Sequence, residues 1–115
     1  VKVYGTGNQT RTYCYITDAV TGFIKALLNG NPGEAYNIGN DSPEISVIEL
    51  TKYISNVIKE EVQIELGEYP SSYPPDEPQR RCPDLTKSKR DLNFHPSVEL
   101  ENGLKKFFEW AKSNY

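Results

Sequence analysis

The sequence has few of the residues that carry most enzyme chemistry. It contains one histidine, His95, and two cysteines, Cys14 and Cys82, which show neither metal-ligand nor disulfide spacing. Ser-His-Asp triads and metal-dependent hydrolases need histidine in a defined place, so His95, just before Pro96, is better explained by a turn or by packing. We therefore expect no metal site, and we take the cysteines as incidental thiols of a cytoplasmic protein.

The sequence also lacks an excess of positive charge and any long apolar run. Its 115 residues carry a formal charge of -3, whereas a general nucleic-acid-binding protein presents a basic face. No apolar run approaches the ~20 residues that a membrane-spanning helix needs. We therefore expect neither a nucleic acid nor a membrane as a partner. A hydrophobic content of 37% is enough for one compact domain with a modest core.

Methionine is absent, at position 1 as elsewhere, and the first residues already alternate as a strand does. We therefore expect that an N-terminal portion is missing from this chain.

Two sequence motifs that are typical of nucleotide-binding enzymes are missing as well. Gly5-Thr6-Gly7 lacks the third glycine and the helix start of a phosphate-binding loop, and no tyrosine is followed by lysine four residues later. The residues thus predict a ligand-binding part of a protein, with no catalytic residue of its own.

Short strands and helices are predicted to alternate along the chain. Strands are predicted near residues 1–4, 11–16, 35–38 and 62–66, and helices near residues 18–29, 46–59, 84–92 and 100–111. The strand at residues 35–38 is expected to be buried, and the strand at residues 62–66 to bury one face. The pattern predicts an α/β fold, with α+β as the alternative, in which a small sheet of short strands packs with about four helices.

Local signals mark where two of these helices begin. Ser46 and Glu49 have the spacing of a capping box, and Ile45 and Leu50 that of a hydrophobic staple. Asp18, or the threonine before it, is the expected N-cap of the first helix. The apolar residues of that helix recur at helical spacing, at positions 20, 23, 24, 27 and 28.

Residues 68–83 contain five prolines and three acidic residues. By composition alone this segment is either a solvated linker or an ordered loop that belongs to the domain. It is too short to separate two domains, because both flanks must share one small core. A different interpretation takes the segment as a polyproline ligand for an adaptor domain, although its one Pro-x-x-Pro match, residues 75–78, is acidic.

Two arginine sites are the strongest functional signal. Arg11 is predicted at a strand end, and Arg80 and Arg81 lie in the proline-rich segment. A guanidinium can clamp a phosphate with paired, charge-assisted hydrogen bonds. Two such sites, with tyrosines between them, predict a pocket for a diphosphate that carries a flat base. The alternative is that these arginines form ordinary surface ion pairs.

The order of the motifs resembles a known family. The segments that carry the resemblance are VYGTGNQTRTYCYITDAVTGFIKAL, EAYNIGN, ISVIELTKYI and DEPQRRCPDLTKSKRDLNFHPSVELENGLKKFFEW. Together they are similar to the C-terminal half of NAD-dependent nucleotide-sugar epimerases and dehydratases, in the extended short-chain dehydrogenase family. UDP-glucuronate decarboxylases and dTDP-glucose 4,6-dehydratases look most similar. The resemblance covers essentially the whole chain.

This resemblance implies that cofactor binding and substrate binding belong to two different domains. A Rossmann domain on the N-terminal side, missing from this chain, would hold NAD and the catalytic residues and would form the homodimer of the full-length protein. Residues 1–115 would be the substrate-binding domain, which grips the diphosphate of a UDP- or dTDP-sugar and binds no cofactor itself. A non-catalytic nucleotide-binding module is the alternative.

The resemblance also assigns roles to individual residues. Arg11 and Arg81 match the two family arginines that bind the diphosphate. Tyr4 and Gln9 fall beside the base, and Asn37 lies near the phosphates. Arg80, next to Arg81, is expected to face solvent.

Overall fold

The computed structural model of the chain describes residues 1–73 and 77–114. Within these ranges, five short strands and four helices follow one another in the order β1 (Lys2–Tyr4), β2 (Thr10–Arg11), α1 (Ile16–Asn29), β3 (Ile45–Ser46), α2 (Val47–Ile58), β4 (Glu65–Gly67), β5 (Arg80–Arg81), α3 (Thr86–Leu92) and α4 (Leu100–Asn114). This order confirms the α/β class predicted from the sequence. The acidic proline motif at residues 75–78 lies partly outside the described residues.

The strands form two small sheets instead of one. β1 pairs with β4 in parallel, while β2 lies between β3, to which it is antiparallel, and β5, to which it is parallel. The strand predicted at residues 11–16 is only partly present, since β2 ends at Arg11. The N–H group of Thr12 still donates to the carbonyl of Arg81 at 3.1 Å, and the chain then turns away to begin α1.

The capping box predicted at the start of α2 is confirmed. The Ser46 hydroxyl accepts from the Glu49 N–H at 3.1 Å, and the Glu49 carboxylate accepts from the Ser46 N–H at 2.7 Å. These two hydrogen bonds satisfy backbone donors that an α-helix leaves unpaired at its first turn. Because β3 runs directly into α2, the same cap also fixes the edge of the sheet beside β2.

The predicted cap of α1 is wrong. The helix begins at Ile16 with Tyr15 as its N-cap, so Asp18 lies inside the first turn. The buried carboxylate of Asp18 accepts hydrogen bonds from the N–H groups of Ser97 and Val98 at 2.9 and 2.8 Å. Asp18 therefore fastens α1 to the segment before α4 and does not close the helix end.

The apolar stripe that predicted α1 lies on an exposed face. Its side chains are between 46% and 84% exposed, and they belong to Val20, Phe23, Ile24, Leu27 and Leu28. The helix instead turns Gly22 and Ala26 toward the core, where Ile38 packs. The periodicity identified the helix correctly. Within the described residues, however, the face that packs on the core carries Gly22 and Ala26 and not the large apolar side chains.

No strand forms at residues 35–38, where the sequence predicted one. The carbonyl groups of Ala35 and Asn37 accept instead from the side chains of Lys87 and Ser88. A strand requires a neighbouring strand for its hydrogen bonds, and here two α3 side chains take that place. The burial predicted for residues 62–66 is also wrong, because β4 is an edge strand whose Leu66 is 57% exposed.

The core lies around α3. Leu85, Leu92 and Phe94 are each 1% exposed and pack together, with Tyr36 and Ile38 against them. Phe94 follows the end of α3 and is buried in this core, whereas the next residue, His95, is exposed and does not pack there. The last helix, α4, packs on α2. Among the described residues, no helix is long and apolar enough to cross a membrane.

Candidate functional site

The parallel pair of β2 and β5 brings the two predicted diphosphate arginines together. In its register Arg11 lies opposite Arg81, and Thr10 lies opposite Arg80. Side chains of register partners in neighbouring strands project to the same face of a sheet, and successive residues project to opposite faces. Arg11 and Arg81 therefore share one face, while Thr10 and Arg80 share the other.

A single carboxylate bridges the two arginines on their common face. Arg11 donates through Nη2 to Oε1 of Glu77, and Nη2 of Arg81 lies 3.8 Å from Oε2 of the same residue. Nη1 of Arg11 donates to the backbone carbonyl of Thr10 at 2.7 Å. The side chains of Arg11 and Glu77 are 15% and 18% exposed, and that of Arg81 is 61% exposed. The arrangement places one anionic group between two guanidinium groups, one sheltered and one open to solvent.

A second carboxylate occupies the opposite face. Glu44 accepts two hydrogen bonds from Arg80, at 3.1 and 2.7 Å, and one from the Thr10 hydroxyl at 2.5 Å. The hydrogen bonds from Thr10 and Arg80 lower the pKa of Glu44 below its ordinary value. The side chain of Arg80 is 65% exposed, so it faces solvent as predicted, although it also forms an ion pair.

Three tyrosines cluster where the sequence predicted the base. The ring centroid of Tyr4 lies 6.0 Å from that of Tyr69 and 6.2 Å from that of Tyr73, and the last two are 4.9 Å apart. The amide of Gln9 donates to the Tyr4 carbonyl at 3.1 Å and to the Tyr69 hydroxyl at 3.5 Å. An open cleft of about 450 Å³ is lined by Tyr69 together with Gly5, Leu66, Gly67 and Glu68. Tyr4 and Gln9 are thus neighbours, as the predicted roles require.

Asn37 lies at the start of α3 and not at the bridged arginines. Its side-chain amide donates to the Asp84 carbonyl at 2.9 Å, and its own carbonyl accepts from the Ser88 hydroxyl. Both interactions hold the segment before residue 40 against the core. A role for Asn37 near the phosphates remains a prediction.

Three residues of the site were missed by sequence reasoning: Glu77, Tyr69 and Tyr73. All three lie in the proline-rich segment, whose composition was compatible with a solvated linker. The spacing of four residues between Glu77 and Arg81 was visible in the sequence, but it acquires meaning only when β5 is paired with β2. Among the described residues, no group of three or more histidine, cysteine or acidic side chains is placed to hold a metal ion.

Comparison with known proteins assigns the family. A model of the family described as GDP-mannose 4,6 dehydratase matches residues 1–107. The chain belongs to this family. The resemblance recognised in the sequence, to nucleotide-sugar epimerases and dehydratases, is thereby confirmed.

Individual relatives agree with this family. The dTDP-D-glucose 4,6-dehydratase of Bos taurus is 37% identical over 115 residues, which cover 98% of this chain and 32% of the relative. The UDP-glucuronic acid decarboxylase 3 of Arabidopsis thaliana is 38% identical over 98 residues, which cover 85% of this chain and 27% of the relative. The UDP-glucuronic acid 4-epimerase of Bacillus cereus, solved with UDP-glucuronic acid and NAD, matches with a TM-score of 0.87 at 26% identity, over 99% of this chain and 35% of the other. The chain thus spans about a third of the length of such relatives.

Proposed function

We propose that this chain is the substrate-binding part of an NAD-dependent nucleotide-sugar epimerase, dehydratase or decarboxylase, and that it grips the nucleotide diphosphate of a UDP- or dTDP-sugar. The observation that carries the proposal is the register pairing of Arg11 with Arg81, which places two guanidinium groups on one face of the sheet. Planar guanidinium groups suit bidentate recognition of phosphate oxygens. The relatives named above act on dTDP- and UDP-sugars, which fits a site of this charge.

The tyrosine cluster supplies the other half of the proposed site. Aromatic rings offer stacking faces to any nucleobase and discriminate poorly among bases. Tyr69 borders an open cleft, and Gln9 provides an amide in contact with both Tyr4 and Tyr69. Binding energy from the base and the diphosphate would orient the sugar for reaction, which is how groups remote from the reacting atoms contribute to catalysis.

NAD chemistry belongs, in this proposal, to a further domain. NAD held by that domain would supply the redox chemistry, in which the sugar C4 carbon gives a hydride to NAD, its hydroxyl gives up a proton, and the hydride is later returned; no residue described in this chain is assigned to that cofactor. The exposed apolar stripe of α1 is the surface to which we propose that the NAD-binding domain docks. Contiguous apolar surface of this kind is typical of interfaces, and the relatives are about three times as long as this chain.

Calorimetric titration of UDP and dTDP into the protein tests the proposal. We expect saturable binding of both diphosphates, and weaker binding of uridine, which lacks the charged group that the arginines would hold. No binding of either diphosphate would overturn the proposal. A non-catalytic nucleotide-binding module would show the same binding, but it would show no NAD-dependent turnover of a nucleotide sugar in the protein that also carries the NAD-binding domain.

A further inference from the structure

The carboxylate of Glu77 occupies the position at which a phosphate group would meet both arginines. It contacts Nη2 of Arg11 and lies 3.8 Å from Nη2 of Arg81, and the two arginines are register partners that project from the same face of β2 and β5. A carboxylate and a phosphate present similar oxygens to a guanidinium. We propose that Glu77 is an internal substitute for the diphosphate, which the ligand must displace in order to bind. The inference rests on the proposed function, since the diphosphate is the group that replaces Glu77.

The hydrogen bonds of Arg11 indicate that Glu77 is a group for the ligand to displace and not a residue that positions Arg11. Nη1 of Arg11 donates to the backbone carbonyl of Thr10 at 2.7 Å, within the same strand. That bond holds one side of the guanidinium plane whether or not Glu77 is present. Glu77 accepts from the other terminal nitrogen, Nη2, which in this proposal is the group that the ligand takes over. Arg11 is therefore oriented by its own backbone, and Glu77 covers the free side of the group.

The position of Glu77 along the chain allows the exchange to occur locally. Two residues later, the carbonyl of Gln79 accepts from the Thr10 N–H at 2.8 Å, and β5 follows. The sheet is thus anchored after Glu77 and does not depend on its side chain. In this proposal, rotation of the Glu77 side chain, with β2 and β5 in place, frees the space between the two arginines.

Such a residue would also determine specificity. The tethered carboxylate is present at a high effective concentration, so a free ligand with a single weak charge competes poorly with it. A diphosphate brings about two negative charges and can contact both guanidinium groups at once. Glu77 would therefore exclude small monoanions and admit the diphosphate.

The test compares Glu77→Gln with the wild-type protein, with UDP, inorganic pyrophosphate and uridine as ligands. Glutamine keeps the shape but removes the charge that competes for the arginines. We expect UDP and pyrophosphate to bind at least about fivefold more tightly, where tenfold corresponds to about 1.4 kcal/mol. Uridine affinity should not change. Glu44→Gln is the matched control, because Glu44 bridges Thr10 and Arg80 on the opposite face and should leave all three affinities unchanged.

The outcomes separate this inference from the proposed function. If wild-type protein binds UDP and Glu77→Gln binds it equally or less tightly, Glu77 positions the arginines and the inference is wrong, while the proposed function stands. If the wild-type protein, Glu77→Gln and Glu44→Gln all bind neither UDP nor pyrophosphate, the proposed function fails, and the inference fails with it. Glu77→Asp is the second variant in case glutamine impairs folding. Its shorter side chain spans the two arginines less well, so a smaller gain in affinity is expected, and no gain would contradict the inference.

Discussion

Arg11 and Arg81 are register partners in two adjacent parallel strands, although 69 residues separate them in the sequence. Their guanidinium groups project from the same face of the sheet and contact the same carboxylate. Arg80, one residue away, projects from the other face and pairs with Glu44. A one-residue change in strand register would exchange these roles, so the pairing of β2 with β5 defines the site.

The first prediction tests this assignment of the arginines. Arg11→Ala and Arg81→Ala should each weaken UDP binding by about 1.5–3 kcal/mol, the range for a hydrogen bond to a charged group. Arg80→Ala should cost clearly less, because an exposed ion pair contributes little. Lysine at either site should restore binding only in part, because a point charge does not reproduce the planar fork. Calorimetry measures the affinities, and circular dichroism should show an unchanged fold.

A larger loss of UDP affinity for Arg80→Ala than for Arg81→Ala would show that the diphosphate binds to the face of the sheet that carries Arg80, contrary to the assignment. The side chains of Arg80 and Arg81 are 65% and 61% exposed, so the two substitutions are matched in solvent exposure. Any difference between them therefore reports on the face of the sheet and not on burial.

The second prediction concerns the tyrosine cluster. Tyr69→Leu should weaken UDP binding by about 1–3 kcal/mol, the range for stacking of one base on an aromatic ring. Pyrophosphate affinity should stay the same, because it has no base. Tyr53→Leu, on α2, is the control and should change neither affinity. If Tyr69→Leu weakens both ligands equally, Tyr69 supports the segment that carries Glu77 and does not contact the base.

Local sequence patterns predicted the structure correctly where it depends on residues that are close together in the chain. The capping box of Ser46 and Glu49 needs only residues three apart, and it formed as predicted. The αL residue Asn93, which ends α3, and the buried Phe94 also lie within one short segment. In these cases the backbone geometry follows from side chains that are adjacent in sequence.

The sequence patterns did not predict contacts between residues that are far apart in the chain. Nothing in the residues around Asp18 indicated that Ser97 and Val98 would supply its hydrogen-bond donors, about eighty positions later. The bridge from Glu77 to Arg11 depends in the same way on the pairing of distant strands. Apolar periodicity could locate α1, but it does not distinguish a face buried in the core from one that stays exposed within the described residues. The family resemblance named Arg11 and Arg81, which the strand pairing brings together, but it did not name the carboxylate between them.

A third prediction concerns Gly22, on the inner side of α1. Alanine is favoured over glycine inside a helix by about 1 kcal/mol. However, a Cβ atom at this position would lie 2.4 Å from Cγ2 of Ile38 and 2.9 Å from Cε2 of the buried Phe94. Overpacking of this kind costs about 1–3 kcal/mol, so we expect Gly22→Ala to lower the melting temperature. Thr21→Ala, exposed on the same helix, should leave it unchanged, and equal melting of the two variants would contradict the packing described.

A fourth prediction is that this chain by itself does not bind NAD saturably. The turn at Gly5 and Gly7, whose φ angles are +69° and +72°, leads from β1 into β2 and not into a helix. It therefore lacks the helix N-terminus that dinucleotide-binding turns offer to a pyrophosphate. Calorimetry with NAD should give no saturable heat, under conditions in which UDP does. Saturable NAD binding that UDP does not displace would place part of the cofactor site in this chain.

The last prediction follows from Asp18, which fastens α1 to the segment before α4. Burial would raise the pKa of this carboxyl, but hydrogen bonds from the N–H groups of Val98 and Ser97 and from the Ser97 hydroxyl lower it below its ordinary value. A carboxyl with a lowered folded pKa stabilises the folded state above its unfolded pKa of about 4, and that contribution is lost as the pH falls through the folded value. Asp18→Ala should therefore reduce the free energy of unfolding at neutral pH by about 1–3 kcal/mol, since it leaves N–H donors without an acceptor.

Urea denaturation at a series of pH values checks this expectation. The stability difference between wild type and Asp18→Ala should be largest near neutral pH and should shrink as the pH falls below about 4, the unfolded pKa, toward the lower folded pKa. Asp18→Asn is the matched control, because its amide oxygen can still accept one or both of the N–H groups that the carboxylate accepts. Its offset from wild type should be smaller than that of alanine at neutral pH, and it should carry no titration of its own. A difference between wild type and Asp18→Ala that is the same at neutral and acidic pH would mean that Asp18 contributes through packing and not through its charged hydrogen bonds.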